Sequence, residues 1–442
     1  MGVTFSVSPD QPDYDLLYDK EYYSKWINVD HFVDKQLSFR EIHNGYLIPH
    51  KINSNEGGIF DSEGSYVKGS SYIEGVHHTF RKSLKESSVD LSQTTAERGI
   101  SISDAEHKHS TVVFIGALIK VWGHFITDSM RLLWFLRSME YRENFADCEL
   151  VYFPASGFQL KGDWLRMFEI LGINTSLVTP VTELTRYDRI ILPDESFFMT
   201  SDGTRYFTSE YVDTINIVRD FAIAHSHPAH GKKIYFSHAK YRGTGIPYGE
   251  ERLEKYFASK GYEIIPEPGD LGLDEELNAL VNCESFASTV GSCSHNMVFC
   301  RDNTEIILIP RANYLTGYQV AIDQVHTQNI HYIDSSFSFF ASTDPWSGPF
   351  LYFISSNLRK YFHDPDTDSI IYPSDFWKYL RSAFGFRFSS KFGRIVDGNN
   401  PKAYMYYSTV AAEYFGKIIK MSWPYRLREW IKRVILRKKP TQ

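Results

Sequence analysis

Two side chains that could move a proton, His124 and Asp128, lie four positions apart in the stretch GHFITDSMRLLWF. Apolar residues recur there at helical spacing, and positions i and i+4 share one face of a helix. A carboxylate beside an imidazole fixes its tautomer and favours the imidazolium, which is how a general base is usually arranged. The pair is therefore the candidate catalytic centre. The structural alternative places His124 in the core and Asp128 in an ion pair with Arg131.

A second group of polar residues follows a strand-like run in SFASTVGSCSHNMVF, residues 285–299. Gly291, Ser292 and Ser294 would let a ligand approach the backbone, and a short helix carrying Asn296 is predicted to begin near His295. Backbone N–H groups at a helix N-terminus favour an anion, and hydroxyl and imidazole groups can add donors. The pattern predicts a phosphate-binding turn. A tight turn capped by its own serine is the alternative.

A third polar segment, SHAKYRGTG, also follows a predicted strand. Ligands of open α/β sheets bind at the carboxyl ends of the strands, where this segment begins. Ser237 could donate a hydrogen bond there, and Lys240 and Arg242 could pair with a diphosphate, Arg242 through its guanidinium fork. Two anion-binding loops at one sheet edge favour a ligand site over a solvated basic loop.

Metal binding is not indicated by either candidate motif. Cys283, Cys293, His295 and Cys300 match no zinc spacing, and the chain contains no C-x-x-C pair. The segment HDPDTD, residues 363–368, offers a D-x-D spacing that in some enzymes holds a metal and a nucleotide diphosphate, but it reads more simply as an exposed loop. We expect no metal site.

The elements that must position these residues alternate along the chain. Apolar strands and helices follow one another from residue 111, which predicts an α/β fold with a parallel sheet. The polar segment AHSHPAHGKK resembles a linker, and the β-α-β pattern after it is that of a Rossmann-like half. We predict an amino-terminal domain over residues 1–223, a second domain over 232–330 and a helical carboxyl-terminal extension over 331–442.

Composition narrows the class of protein. The net charge of −7 argues against general nucleic-acid binding, and four cysteines are too few for a disulfide framework. The first residues lack the basic and apolar regions of a signal peptide, and no run reaches eighteen apolar residues. We expect a cytoplasmic protein.

The basic charge is concentrated in residues 417–439, which hold nine Lys or Arg and one acid. Apolar residues there fall on one helical face, and a basic amphipathic helix with tryptophans suits an anionic membrane surface. A terminal helix docked on the first domain is the alternative. The expected membrane contacts are Trp423, Arg426, Trp430, Lys432 and Arg433.

Taken in order, these segments resemble glycosyltransferase family 61. WGHFITDSMRLLWFL is similar to the family's H-F/W-x-x-D helix, IYFSHAKYR to its strand-plus-arginine segment, and the stretch from LEKYF to HNMVF to its closing segment. The resemblance covers roughly residues 55–310. Where the family usually has H-G-A, this chain has Ser292, Cys293 and Ser294, so the family's histidine is missing unless His295 takes its place. At the position after the serine, where the family has a basic residue, this chain has His238.

The resemblance implies a GT-B fold, with two Rossmann-like domains facing a cleft. It implies inverting transfer from a nucleotide sugar, for which a UDP-sugar is the expected donor, without an essential metal or other cofactor. Ser237, Arg242 and the turn from Gly291 to Asn296 would face the diphosphate, and the first domain would bind the acceptor and supply His124 and Asp128.

The expected acceptor is a glycan or a lipid-linked acceptor in the synthesis of a bacterial capsule or exopolysaccharide. The basic tail would hold the enzyme at the inner face of the cell membrane. A pyruvyl- or sialyl-type transferase and a non-catalytic carbohydrate-binding protein remain the alternatives.

Overall fold

The computed structural model describes residues 3–5, 28–49, 57–70, 94–155, 157–200, 202–226, 231–240, 246–311, 315–337, 349–366 and 368–379. Arg242 and the five residues of the predicted membrane contact lie outside this part of the chain, as does the whole basic tail.

Strands alternate with helices along the described chain. The first strands are β1 (Val3–Phe5), β2 (Phe39–His43), β3 (Tyr46–Ile48), β4 (Gly58–Phe60), β5 (Glu106–Ile119), β6 (Glu149–Ala155), β7 (Val178–Pro180), β8 (Thr185–Pro193), β9 (Phe197–Met199) and β10 (Arg205–Phe207). They are followed by β11 (Lys232–Ser237), β12 (Pro247–Tyr248), β13 (Tyr262–Pro266), β14 (Cys283–Thr289), β15 (Glu305–Ile309), β16 (Asn329–Tyr332), β17 (Ser336–Phe337), β18 (Phe350–Tyr352) and β19 (Ser369–Ile371).

The helices are of three kinds. The α-helices in the described part of the chain include Trp122–His124, Met139–Asn144, Asp163–Ile170, Ser209–His225, Glu250–Ser259, Leu273–Asn282, Gly317–Ile322 and Ser356–Tyr361. Phe125–Ser129 is a π-helical turn, and Met130–Arg137, Thr175–Leu177, Pro268–Asp270 and Ser294–Phe299 are 3₁₀-helical.

The larger sheet has seven strands in the order β4-β3-β8-β5-β6-β7, with β2 also paired to β8. Its long central strand β5 runs parallel to β8 and β6, while β2 and β3 are antiparallel to β8. The last eight residues of β5 are all buried, which is why they read as a continuous apolar run. The carboxyl end of β5 leads directly into the segment that carries His124 and Asp128.

The second sheet has five parallel strands in the order β13-β11-β14-β15-β16. In chain order this is 2-1-3-4-5, a doubly wound arrangement in which the strand order reverses between β11 and β14. Tyr235 of β11 packs with the helix Glu250–Ser259, whereas Phe236 packs on the other face with Leu277 of the helix Leu273–Asn282. The α/β prediction is confirmed, and both faces of the sheet carry helices.

The two sheets share part of their core. One cluster of buried apolar side chains includes Val113 of β5, Ile215 of the helix Ser209–His225 and Phe286 of β14. That helix packs against Leu273–Asn282, so it joins the layers of both sheets. The predicted domain limits stay predictions: β16 runs across position 330, and residues 350–358 pack on the second sheet with Tyr235 and Phe257.

The predicted helical extension is described as far as residue 379, where it contains β17, β18 and β19 as well as the helix Ser356–Tyr361. Among the residues that the structure describes, no helix is both long and apolar enough to cross a membrane.

Candidate active site

His124 and Asp128 form a hydrogen-bonded pair, with Nδ1 2.6 Å from Oδ2. The segment that carries them is an α-turn followed by a π-turn and a 3₁₀ helix, rather than the regular helix that the apolar spacing predicts. Single π-turns are often found at functional sites, because the extra residue re-aims side chains. The predicted i,i+4 pair is present despite the irregular backbone.

Hydrogen bonds from three sides hold the π-turn. Tyr211 donates its hydroxyl to the carbonyl of Ile126 at 3.0 Å, and Thr127 donates to the carbonyl of Gly123 at 3.0 Å. Ser129 donates to the carbonyl of Ala117 in β5 at 3.1 Å. The turn is therefore fixed to the central strand and to a helix, and the pair sits on a rigid base.

The second oxygen of Asp128 accepts a hydrogen bond from Tyr318 at 3.0 Å. Burial alone would raise the pKa of Asp128, but the hydrogen bond and charge of His124, together with the charges of Arg131 and Arg205, outweigh it and lower the pKa. Arg131 lies 3.2 Å from Glu195 and acts on Asp128 through its charge. Asp128 is thus an ionised, buried carboxylate with a donor on each oxygen.

Tyr318 also orders the groups around this carboxylate. Its ring packs edge-on against the ring of His124, with the centroids 5.2 Å apart, and the guanidinium of Arg205 lies 3.6 Å from the centre of the ring. The helix Gly317–Ile322 therefore contributes to a site whose His124–Asp128 pair lies about 190 positions earlier in the chain.

An ionised Asp128 accepts from Nδ1–H of His124, which leaves Nε2 as the basic nitrogen of the ring. The side chain of His124 is 23% exposed and that of Asp128 is 7% exposed. A substrate hydroxyl can therefore reach the imidazole more easily than the carboxylate. The arrangement is that of a general base with an orienting carboxylate.

The predicted phosphate-binding turn faces this pair from the second sheet. The chain leaves β14 and turns at Gly291, whose φ of +151° favours glycine. Ser294 is fully buried; its hydroxyl accepts from the Gly291 N–H at 2.9 Å and donates to Gln319. Ser294 thus caps the turn from within, as the alternative interpretation of this segment expects, whereas Ser292 is partly exposed.

The turn and the catalytic segment are in direct contact. His295 Nδ1 lies 3.2 Å from the carbonyl oxygen of Gly123, and the indole N–H of Trp122 donates to Asn296 at 2.6 Å. A Cβ on Gly123 would lie 3.0 Å from Ser292 Cα. The carboxyl ends of β5 and β14 therefore meet, which brings His124, Asp128, Ser292, His295 and Asn296 to one place.

Burial sets the protonation of the residues at this contact. It lowers the pKa of His295 to about 4, with the charges of His124 and Arg311 acting in the same direction. The ring is neutral at pH 7, so Nδ1–H can donate to Gly123. Asn296 donates in turn to Glu276, whose pKa is raised to about 8 by burial and by the charge of Asp163.

The segment after β11 is only partly described. Ser237 is buried, donates to Glu254 at 2.7 Å and accepts from the N–H of Ala239. Lys240 is exposed. Both remain predicted donor contacts, with the hydroxyl of Ser237 engaged inside the protein in this structure.

Arg311 is the basic residue that the sequence patterns missed. Its guanidinium lies against Gly291, where a Cβ would come within 2.5 Å of it, and Nη2 is 3.3 Å from His238 Nε2. Burial, with the charge of Arg311, lowers the pKa of His238 to about 3, so the guanidinium faces a neutral ring. Arg311 follows β15 through Pro310, and a basic residue just past a predicted strand end was the signal available in the sequence.

The cysteines and the D-x-D segment are engaged in local contacts. All four cysteines are free thiols; Cys283 and Cys300 lie 4.0 Å apart, and Cys293 Sγ is 3.1 Å from His238. Asp364 pairs with Lys260, and Asp366 pairs with Arg359 at 2.8 Å.

One family of known proteins matches the part of the chain that holds most of the candidate site residues. No curated protein matches the chain. Residues 122–307, however, match the family model Glycosyltransferase 61, a stretch that begins at Trp122 and includes the His124–Asp128 pair and the turn after β14. Residues 122–307 therefore resemble a glycosyltransferase 61 domain.

Proposed function

We propose that the protein is an inverting glycosyltransferase in which His124 is the general base. The proposal rests on the hydrogen bond between His124 Nδ1 and the ionised Asp128, at the place where the ends of β5 and β14 meet. The oxygen of an acceptor hydroxyl attacks the anomeric carbon, and its proton passes to His124 Nε2. The bond from that carbon to the diphosphate breaks, and the nucleoside diphosphate leaves with the electron pair.

His124 suits the base better than Asp128 does. Asp128 accepts hydrogen bonds on both oxygens, and its lowered pKa makes it a poor proton acceptor at neutral pH. Its role in this proposal is to hold the imidazole in the tautomer with a basic Nε2 and to stabilise the imidazolium that forms.

The leaving diphosphate is proposed to lie at the switch point between β11 and β14. Arg311 supplies positive charge there, with its guanidinium packed against the backbone of Gly291. Lys240, Arg242, His295 and Asn296 are further proposed donor contacts. Because Arg311 serves as the cation in this scheme, no metal is assigned to the reaction.

The arrangement of the two sheets supports a GT-B-like architecture. Their carboxyl ends approach each other at Gly123 and Ser292, as expected of a cleft between an acceptor side and a donor side. We propose a UDP-sugar as the donor of a hexosyl or N-acetylhexosaminyl group, and a glycan or a lipid-linked acceptor of a surface polysaccharide.

The basic tail supports a proposal about location. Residues 417–439 would bind an anionic membrane through Trp423, Trp430 and the basic residues between them, placing the enzyme at the inner face of the cell membrane. Full-length protein should sediment with phosphatidylserine vesicles and a variant ending at residue 416 should not. Equal sedimentation of both proteins would refute the proposed role of the tail.

The decisive experiment is a panel of UDP-, GDP- and CMP-sugars, read by thermal shift and then by NMR of the product. Stabilisation by one nucleotide sugar and an inverted anomeric configuration in the product are expected. Selective binding of a CMP-sugar would favour a sialyl-type transferase, and glycan binding without any nucleotide effect would favour a binding protein.

A further inference from the structure

Three potential metal ligands converge at the amino end of β5, far from the candidate active site. His107 and His109 lie two positions apart on β5, and the centroids of their rings are 4.1 Å apart. Asp188 of β8 lies beside them, since His107 pairs with Arg186 in the parallel register and Asp188 is two residues further along. The three ligand atoms lie within 4.8 Å of one another.

We propose that His107, His109 and Asp188 bind a divalent transition-metal ion, with Zn²⁺ as the best fit. Asp188 Oδ1 lies 2.8 Å from His107 Nε2 and 3.4 Å from His109 Nδ1. Ligand atoms about 2.0–2.1 Å from a tetrahedral zinc ion lie roughly 3.3 Å from each other. The observed separations are close to that value, so small side-chain rotations complete the site, with water as the fourth ligand.

The types of ligand support this choice. Two imidazoles and one carboxylate suit zinc and its neighbours in the first transition row, whereas calcium and magnesium prefer oxygen ligands alone. The positively charged side chain of Arg186, also on β8, has other partners than Asp188: it donates to Asn44 at 3.1 Å and lies over the ring of Tyr46. Solvent can deliver the ion, because the side chain of His109 is 76% exposed.

The site is separate from the glycosyl-transfer chemistry. The strand from His107 to Ile119 spans about 40 Å at the usual rise per residue, and the His124–Asp128 pair lies beyond its far end. A bound ion would cross-link β5 to β8 near the amino end of β5. It would therefore stabilise the fold by mass action without entering the reaction.

The test is calorimetric titration of ZnCl₂ into untagged, metal-free, full-length protein, together with thermal unfolding. Wild type should bind one equivalent of zinc and melt at a higher temperature with zinc than with EDTA. Co²⁺ should give the visible absorption of a tetrahedral site. H109A, which removes an exposed ligand, should weaken zinc binding at least tenfold and abolish the thermal shift, and D188N should do the same.

H43A is the matched control. His43 is an exposed histidine on β2, the strand next to β8, and its ring lies near Glu41. H43A should bind zinc as wild type does. The proposal is overturned if wild type shows no saturable binding, or if H109A binds zinc as tightly as wild type. The second result would assign the ion to other groups, such as the free thiols. Should D188N fail to fold, H109A still decides the question.

Discussion

The imidazole of His295 rests directly against Gly123, with Nδ1 3.2 Å from the carbonyl oxygen of the glycine. A Cβ on Gly123 would lie 2.9 Å from that nitrogen and 3.0 Å from Ser292 Cα. The second of these is a backbone contact, which no rotamer change can relieve. A Cβ at position 123 would therefore force His295 and the Ser292 backbone to move by a few tenths of an ångström, and its absence lets the ends of β5 and β14 approach closely beside His124.

Removal of the base should abolish most of the turnover. H124A and D128N should each lower kcat on the order of 10²-fold or more, because the first removes the proton acceptor and the second its orienting charge. Steady-state rates with the best nucleotide sugar, and UDP affinity by calorimetry, would measure this. H225A, which changes an exposed histidine at the end of the helix Ser209–His225, should keep normal turnover. Near-normal rates in both site variants would rule out the assignment.

Tyr318 is expected to act through Asp128. Y318F keeps the ring between His124 and Arg205 but loses the hydroxyl that donates to Asp128. A hydrogen bond to a charged group contributes about 1.5–3 kcal/mol, so kcat should fall about 10- to 100-fold, no more than in D128N. The KM for the donor should stay unchanged. A rise in KM with constant kcat would show that Tyr318 binds substrate instead of positioning the carboxylate.

Arg311 should govern the affinity for the nucleotide. R311A is expected to raise the Kd for UDP about 10- to 100-fold, which corresponds to the loss of a charge-assisted hydrogen bond. R311K should recover part of the affinity, since lysine keeps the charge but lacks the planar fork. K255A removes one exposed positive charge from the helix Glu250–Ser259 and should leave the Kd unchanged. Equal Kd values for wild type and R311A would refute this role of Arg311.

His295 should make the fold sensitive to acid. Its folded pKa of about 4 lies below the unfolded value of 6.5, so between these values the unfolded chain binds a proton that the folded protein excludes. The stabilising contribution is complete above pH 6.5 and is lost as the pH falls towards 4, by up to about 3 kcal/mol. H295N can still donate to Gly123 but does not titrate. Its stability in urea should fall less than that of wild type from pH 7 to pH 5; equal losses would contradict the prediction.

Glu276 should lower the stability of the fold as the pH rises, whereas His295 lowers it as the pH falls. Its folded pKa of about 8 lies above the unfolded value of 4.5, so the folded protein keeps a proton that the unfolded chain releases. The contribution of Glu276 to the free energy of unfolding is complete below pH 4.5. It is lost as the pH rises towards 8, at about 1.4 kcal/mol per pH unit. E276Q imitates the neutral form and can still accept from Asn296. Urea unfolding at pH 5, 6, 7 and 8 should show E276Q gaining on wild type as the pH rises, and a constant difference would exclude this titration.

The parts of the site that sequence patterns predict are those made by neighbours in the chain. His124 and Asp128 are four residues apart, and the turn after β14 follows its strand directly, so local periodicity is enough to propose both. The parallel sheet is likewise predicted, because buried strands read as apolar runs.

Contacts between distant segments were not predictable in this way. Tyr318 and Arg311 reach the site from the segment after β15, the fourth strand of the five-stranded sheet, and no local period marks them. The π-turn was also missed, since tertiary hydrogen bonds from Tyr211 and Ser129 stabilise it against the regular helix that the sequence favours. Ser294 illustrates a different limit: a serine in a turn has the same sequence signature whether it caps the backbone or meets a ligand.

The hydrogen bond from Tyr318 to Asp128 also bears on when the enzyme becomes competent. A ribosome makes residue 128 long before residue 318, and domains can begin to fold in the order of their synthesis. A nascent chain that has already paired His124 with Asp128 still lacks the donor to the second carboxylate oxygen until the helix Gly317–Ile322 has emerged. A truncated translation product that ends before this helix would therefore carry His124 and Asp128 without the second donor to the carboxylate.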